Sequence, residues 1–205
     1  MPQGKLIVIE GLDGSGKATQ SELLAQRLSA MRISFPDYEN ESSALVKMYL
    51  AGKIGDVNAY AASIFYAADR YISFQSWKPQ WFSGQTIVAD RYTTSNAVHQ
   101  MPKLPQDEWD SYLDWLYDFE FVRMGLPRPD VVVYLDMPPK TARELMLKRY
   151  NGDEKLLDKH ESDLAYQLSC REAARYAAGK LGWIVIACNE LTIEEIAEKI
   201  RNAGI

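Results

Sequence analysis

Residues 5–17 read KLIVIEGLDGSGK. The first six, KLIVIE, form the continuous apolar, β-branched run of a strand buried on both faces. They enter Gly11-Leu12-Asp13-Gly14-Ser15-Gly16-Lys17, which has GxxxxGK spacing. Beyond the loop, Leu23, Leu24, Leu28 and Met31 recur at helical spacing. A strand, a glycine-rich turn and a helix in this order bring backbone N–H groups and the positive end of a helix to one point. The glycines let those N–H groups turn inward around oxygens. Lys17 adds a full positive charge for β- and γ-phosphates. The stretch therefore predicts a nucleotide-phosphate loop made of Gly11, Gly14, Ser15, Gly16, Lys17, Ala18 and Thr19. One position departs from the motif, which places Ser or Thr after the lysine as a Mg²⁺ ligand. Here that residue is Ala18, and Thr19 points about 100° further round the helix. Either water replaces the ligand or the metal is held differently. A loop that binds nucleotide without efficient turnover is the plainer alternative.

Outward from this stretch, strand-like and helical segments alternate. Strands are expected at 33–35, 86–89, 131–135 and 183–187. Helices are expected at 41–51, from Asn58 as cap to about 82, at 93–101, from Pro105 to near Gly125, at 139–150, up to about 181, and at 193–202. The alternation predicts a parallel sheet covered on both faces, with ligands beyond the carboxyl ends of the strands.

The chain has 205 residues and a net charge of -5, with 25% charged and 47% apolar residues. At that length one domain is the default. Only Cys170 and Cys188 are cysteines and only His99 and His160 histidines. These counts exclude a disulfide scaffold, a cysteine zinc ribbon and a His-rich metal centre. No apolar run reaches the roughly 18 residues of a membrane span, and no basic block suits duplex DNA. The first strand begins almost at once, so no signal peptide is expected and the location is read as cytoplasmic. The cysteines read as buried packing, and the tryptophans at 77, 81, 109, 115 and 183 as helix-to-sheet packing.

Two strand ends carry a carboxylate, Asp90 after IVA and Asp136 after VVVYL. A carboxylate there can hold a metal-bound water. Asp90 is followed by Arg91, a phosphate-ready fork, and is taken as the functional one. Asp136, before Met-Pro-Pro, is taken as the cap of the next helix.

These residues together resemble the thymidylate kinases, a family of nucleoside monophosphate kinases. The segments that carry the resemblance are IEGLDGSGKATQ at 9–20, FPDY at 35–38, FYAADR at 65–70, DRYTTSNAVHQ at 90–100, YLDMPP at 134–139 and DKHE at 158–161. The resemblance implies an α/β P-loop NTPase fold, a three-layer sandwich of about five parallel strands flanked by helices, with a mobile lid. It implies one kinase domain over 1–205, an acceptor region at about 36–100 and a lid at about 148–162. ATP with Mg²⁺ would be the donor side and dTMP the acceptor. The protein would be a homodimer packed through long helices such as 58–82, with no nucleic-acid polymer or membrane as partner.

On this resemblance Arg91 grips the dTMP phosphate and Asp13 sits between the two phosphate sites. Arg70 and Asn96 bond the thymine edge, and Tyr66 stacks on the ring, with Phe65 as the rival for that role. His99 falls near the deoxyribose and Gln100 completes the block. Asp158 and Glu161 match the family's D-x-x-E. With Ser at position 15, the catalytic cation is expected in the lid, where Arg149, Lys148 and Lys155 are the candidates. The plainer alternative for 65–70 is a helix face packing the core, and for 148–161 a solvated charged loop.

One further departure stands beside Ala18. The family commonly has Arg shortly after Phe-Pro, whereas Asp37 follows Phe35-Pro36 here. Lys47 or Lys53 are the possible substitutes. Asp37 also motivates a rival reading, a deoxynucleoside kinase in which it is the base for a sugar hydroxyl. A nucleotide-binding protein with impaired turnover is the third.

Overall fold

A computed structural model describes residues 3–151, 153 and 163–205. The expected lid lies for its larger part outside the described residues, as do Lys155, Asp158 and Glu161. Five parallel strands form one sheet in the order β2-β3-β1-β4-β5. They are β1 (Leu6–Gly11), β2 (Met31–Ser34), β3 (Ile87–Asp90), β4 (Val131–Asp136) and β5 (Ile184–Ala187). The helices among the described residues are α1 (Lys17–Leu28), α2 (Ala44–Leu50), α3 (Ala59–Phe82), α4 (Thr94–His99), α5 (Trp109–Tyr117), α6 (Pro139–Arg149), α7 (Leu164–Leu181) and α8 (Ile193–Asn202).

The alternation along β1 shows how the layers form. Leu6 and Val8 enter one core with Phe74 and Trp77 of α3, Tyr112 of α5 and Ala174 of α7. Ile7 and Ile9 enter the other with Leu24 of α1, Ala142 of α6 and Ile196 of α8. Both faces are buried, so the strand reads as an unbroken apolar run. Trp77, Trp81, Trp109 and Trp183 are buried in the first core, with Trp115 packed against it. Cys170 and Cys188 are buried as well. No helix of the described residues is long and apolar enough to cross a membrane.

Several expected boundaries are corrected. The helix after the loop does not reach Met31. Ser29 adopts a left-handed conformation (φ 50°), its N–H closes on Ala25 and Gln26, and Met31 starts β2 by donating to Thr86 O at 3.0 Å. β2 therefore covers Met31–Ser34 instead of 33–35. The expected helix 41–51 is a 3₁₀ turn, Glu41–Ser43, followed by α2. The expected helix from Pro105 to Gly125 is a 3₁₀ turn, then α5, then a π-helical turn, Asp118–Arg123, in which Met124 N–H reaches back to Phe119 O at 2.9 Å. Asn58 does cap α3, its Oδ1 accepting from Ala61 N–H at 2.8 Å.

Candidate active site

The carboxyl ends of β1, β2 and β3 open into one cavity of about 360 Å³. At its floor the chain leaves β1 through the glycine loop. Gly14 (φ 79°) and Gly16 (φ 88°) hold left-handed conformations that favour glycine, and Gly16 precedes α1 directly. A Cβ on Gly14 would lie 2.4 Å from Ala142 O of α6, so the loop is pressed against that helix. Asp13, Gly14, Gly16, Lys17, Ala18 and Thr19 line the cavity. Gly11 and Ser15 lie behind them, with only 2.5 Å between a Cβ on Gly11 and Ser15 Oγ.

Lys17 Nζ donates to Leu12 O at 2.9 Å and to Asp13 Oδ1 at 3.3 Å. Burial and the adjacent Arg91 guanidinium push its pKa down, opposed by Asp13, Asp90 and Glu10. Arg91 follows β3 and donates through Nη2 to Asp13 Oδ1 at 2.6 Å. Its Nη1 lies 2.8 Å from His99 Nε2 and 3.4 Å from Glu10 Oε1. Burial would lower the Arg91 pKa, but Asp13, Glu10 and Asp90 outweigh it and keep the guanidinium charged. Burial would likewise raise Asp13, and Arg91, Lys17 and His99 instead hold it well below the usual carboxylate range. Arg91 also has φ 67°, a backbone conformation rare outside glycine, at the point where its side chain turns into the cavity.

Asp90 ends β3 on the same floor, and its Oδ2 accepts from Arg32 Nη2 at 3.1 Å. At the other end of the cavity stand Tyr66 and Arg70 of α3, Asn96 and His99 of α4, and Gln100. Tyr66 lines the cavity and Phe65 does not. Arg70 is almost fully buried and forked onto Glu120, with Nε at 2.7 Å and Nη2 at 2.5 Å from its oxygens. Asn96 Nδ2 donates to Glu120 Oε1 at 3.0 Å and to Ser63 O at 3.3 Å.

Two readings of acidic residues change. Asp136 does not cap α6, whose N-cap is Pro138 with no side-chain bond. Its oxygens instead accept from Arg171 Nε at 2.6 Å and Arg175 Nη2 at 2.6 Å, because α7 passes the end of β4. Asp37 is not a lining residue of the cavity. Its Oδ2 accepts from Ser73 Oγ on α3 at 3.1 Å and its N–H is held by Asp69 at 2.9 Å. That places its carboxylate away from any acceptor hydroxyl in the cavity. Lys47 donates to Tyr38 O at 2.6 Å, and neither it nor Lys53 lines the cavity. Arg149 is the last residue of α6, and its side chain lies outside what is described.

Sequence reasoning passed over Glu10, Arg32, Glu120 and Tyr166. Glu10 is fully buried and accepts from Thr94 Oγ1 and Ser95 Oγ, both at 2.7 Å. A charged residue inside an otherwise apolar strand was its available signal. Tyr166 of α7 lines the cavity and donates to His99 O at 2.6 Å.

Asp90 faces the cavity beside Lys17, and Ala18 offers no hydroxyl. Mg²⁺ keeps several waters and needs only one or two carboxylates plus substrate phosphates. The donor set therefore fits a Mg²⁺ held through water by Asp90.

The chain is similar to known proteins over most of its length. The family model described as "Thymidylate kinase" matches residues 9–200. A thymidylate kinase of Mycobacterium tuberculosis is 31% identical over 188 residues, covering 87% of each chain. The human thymidylate kinase is 32% identical over 140 residues, 66% of this chain and 62% of that one. Among solved structures, a thymidylate kinase from Candida albicans superposes with a TM-score of 0.76 at 23% identity, covering 98% of this chain and 91% of that chain.

Proposed function

The chain belongs to the thymidylate kinase family, and we propose that its cavity is where the γ-phosphoryl group of ATP passes to dTMP to give dTDP, a step of nucleotide biosynthesis. The observation that carries this reading is the placement of two chemistries in one cavity: Lys17, Asp13 and Arg91 at the glycine loop, and Tyr66, Arg70 and Asn96 opposite them.

The acceptor is a phosphate monoester with a second pKa of about 6. At neutral pH it is mostly dianionic and requires no general base. Catalysis then rests on in-line positioning and on neutralising charge. Lys17 and the loop backbone hold the ATP phosphates. Arg91, fixed by Asp13 and His99, holds the acceptor phosphate. Asp13 keeps the two cations apart and oriented between the phosphate sites. Tyr66 packs on the base, Arg70 and Asn96 bond its edge, and His99 and Gln100 border the sugar. Asp90 would hold a Mg²⁺ through water, and the ion would supply neutralisation of phosphate charge. Arg149 at the end of α6 supplies the lid cation, and Asp158 and Glu161 help order the acceptor.

The same proposal includes a homodimer, supported by the exposed Ile64, Tyr71 and Ile72 on one side of α3, and a cytoplasmic location, where ATP is at hand. The deoxynucleoside kinase reading loses its base, since Asp37 lies outside the cavity. The deciding assay is ADP release from Mg-ATP with dTMP, dUMP, UMP, thymidine or no acceptor. Release with dTMP far above thymidine is expected. Preferential release with thymidine overturns the proposal.

A further inference from the structure

Glu120 has no part in the phosphate chemistry, yet the base end of the cavity is built against it. It is fully buried on the π-helical turn Asp118–Arg123. Its two oxygens accept four hydrogen bonds. Oε1 takes Arg70 Nη2 at 2.5 Å and Asn96 Nδ2 at 3.0 Å, and Oε2 takes Arg70 Nε at 2.7 Å and Thr93 Oγ1 at 2.7 Å.

An ionised carboxylate accepts only, whereas an amide has one accepting and one donating end. Glu120 therefore decides which way the Asn96 amide faces. Nδ2 is drawn to Glu120 and to Ser63 O, and Oδ1 is left for the cavity. The fork onto Glu120 likewise occupies Nε and Nη2 of Arg70. It leaves Nη1, which among the described residues makes a long 3.4 Å contact to Tyr92 O. The cavity thus presents an acceptor beside a donor. Thymine and uracil carry the complement, an N3–H donor beside an O4 acceptor. Cytosine carries an N3 acceptor beside an amino donor and mismatches both.

We propose that Glu120 is a positioning residue that sets base selectivity, making the site accept 4-keto pyrimidine nucleotides and reject cytosine nucleotides through Asn96 and Arg70. The proposal rests on the reading of Arg70 and Asn96 as the base-contacting pair. Glutamine at this position can donate as well as accept. Its amide N–H would face Asn96 Oδ1, and Asn96 Nδ2 would turn to the base, which suits cytosine.

The test is steady-state kinetics with dTMP and dCMP for the native chain, Glu120→Gln, and the swapped pair Glu120→Gln/Asn96→Asp. In Glu120→Gln the ratio of kcat/KM for dTMP over dCMP should fall at least about 10-fold, chiefly through KM. The swap returns an acceptor-only group to the cavity and keeps the charge opposite Arg70, so the ratio should recover. A Glu120 that merely supports the fold would depress both acceptors alike, and the swap would not restore the ratio. That result overturns the proposal. If Glu120→Gln does not fold by circular dichroism, the swap decides alone, a near-native ratio supporting and a lowered one overturning. Unfolding of both variants makes Glu120 structural and also overturns it. Asn96→Ala separates this claim from the one beneath it. An unchanged KM for dTMP there removes the base site itself, whereas a raised KM with an unaltered Glu120→Gln ratio removes only the role of Glu120.

Discussion

Arg91 holds a strained backbone angle and touches Asp13, Glu10, Ser95 and His99. These contacts hold its guanidinium in place before any phosphate arrives, and such preorganisation is what charge neutralisation in a transition state requires. Lys17 supplies the matching charge on the donor side. Lys17→Ala should lower kcat by about 100-fold or more with little loss of thermal stability, read by ADP release and a melting curve. Unchanged turnover would remove the loop from the mechanism.

Asp136 allows a prediction about stability alone. Burial favours its neutral form, but hydrogen bonds and charge from Arg171 and Arg175 outweigh this and lower its pKa. A carboxylate with a depressed folded-state pKa stabilises the fold above the ordinary carboxylate range, and that contribution is lost as pH falls through the lowered value. The melting temperature of the native chain should therefore drop more steeply below about pH 5 than that of Asp136→Asn. Parallel profiles would show that the two arginines contribute nothing at this site.

Among the elements, the glycine loop and α6 are joined by a close approach. A Cβ on Gly14 would meet Ala142 O at 2.4 Å and Met146 Cγ at 2.9 Å, at a φ of 79°. Gly14→Ala should cost about 1–3 kcal/mol in urea unfolding and weaken ATP binding, as measured by titration calorimetry. Full ATP affinity would mean that the loop can leave α6 without harm. β1, β3, β4 and the glycine loop were legible in the sequence because each is a local pattern, an apolar run closed by glycine or Asp. The ends of α1, α2 and α5 were not. Ser29 turns left-handed to deliver the chain to Thr86 O, and the π turn places Glu120 under Arg70, both tertiary demands. The site divides the same way. Lys17, Asp90 and Arg91 stand in motifs. Arg32 and Glu120 act on partners 58 and 50 positions away, and no local spacing announces them.

Across the whole molecule, α3 carries Tyr66 and Arg70 toward the cavity and exposes Ile64, Tyr71 and Ile72. If that apolar side is the dimer surface, the two roles share one helix. Ile72→Glu should convert the dimer to monomer in sedimentation at micromolar protein. It should also raise the KM for dTMP, since α3 loses a support. A native chain that sediments as a monomer would refute the dimer.

The sheet register has a consequence for synthesis on the ribosome. β1 leads the chain, yet its partners are β3 and β4, and Ile7 pairs with Val131. At about 5–20 residues per second, the emerging first strand waits roughly 6–25 s for that partner to be translated. β3 is made earlier and can cover one edge of β1, but until β4 follows the other edge of the strand that carries the glycine loop stays open, an apolar edge exposed before the nucleotide site is complete.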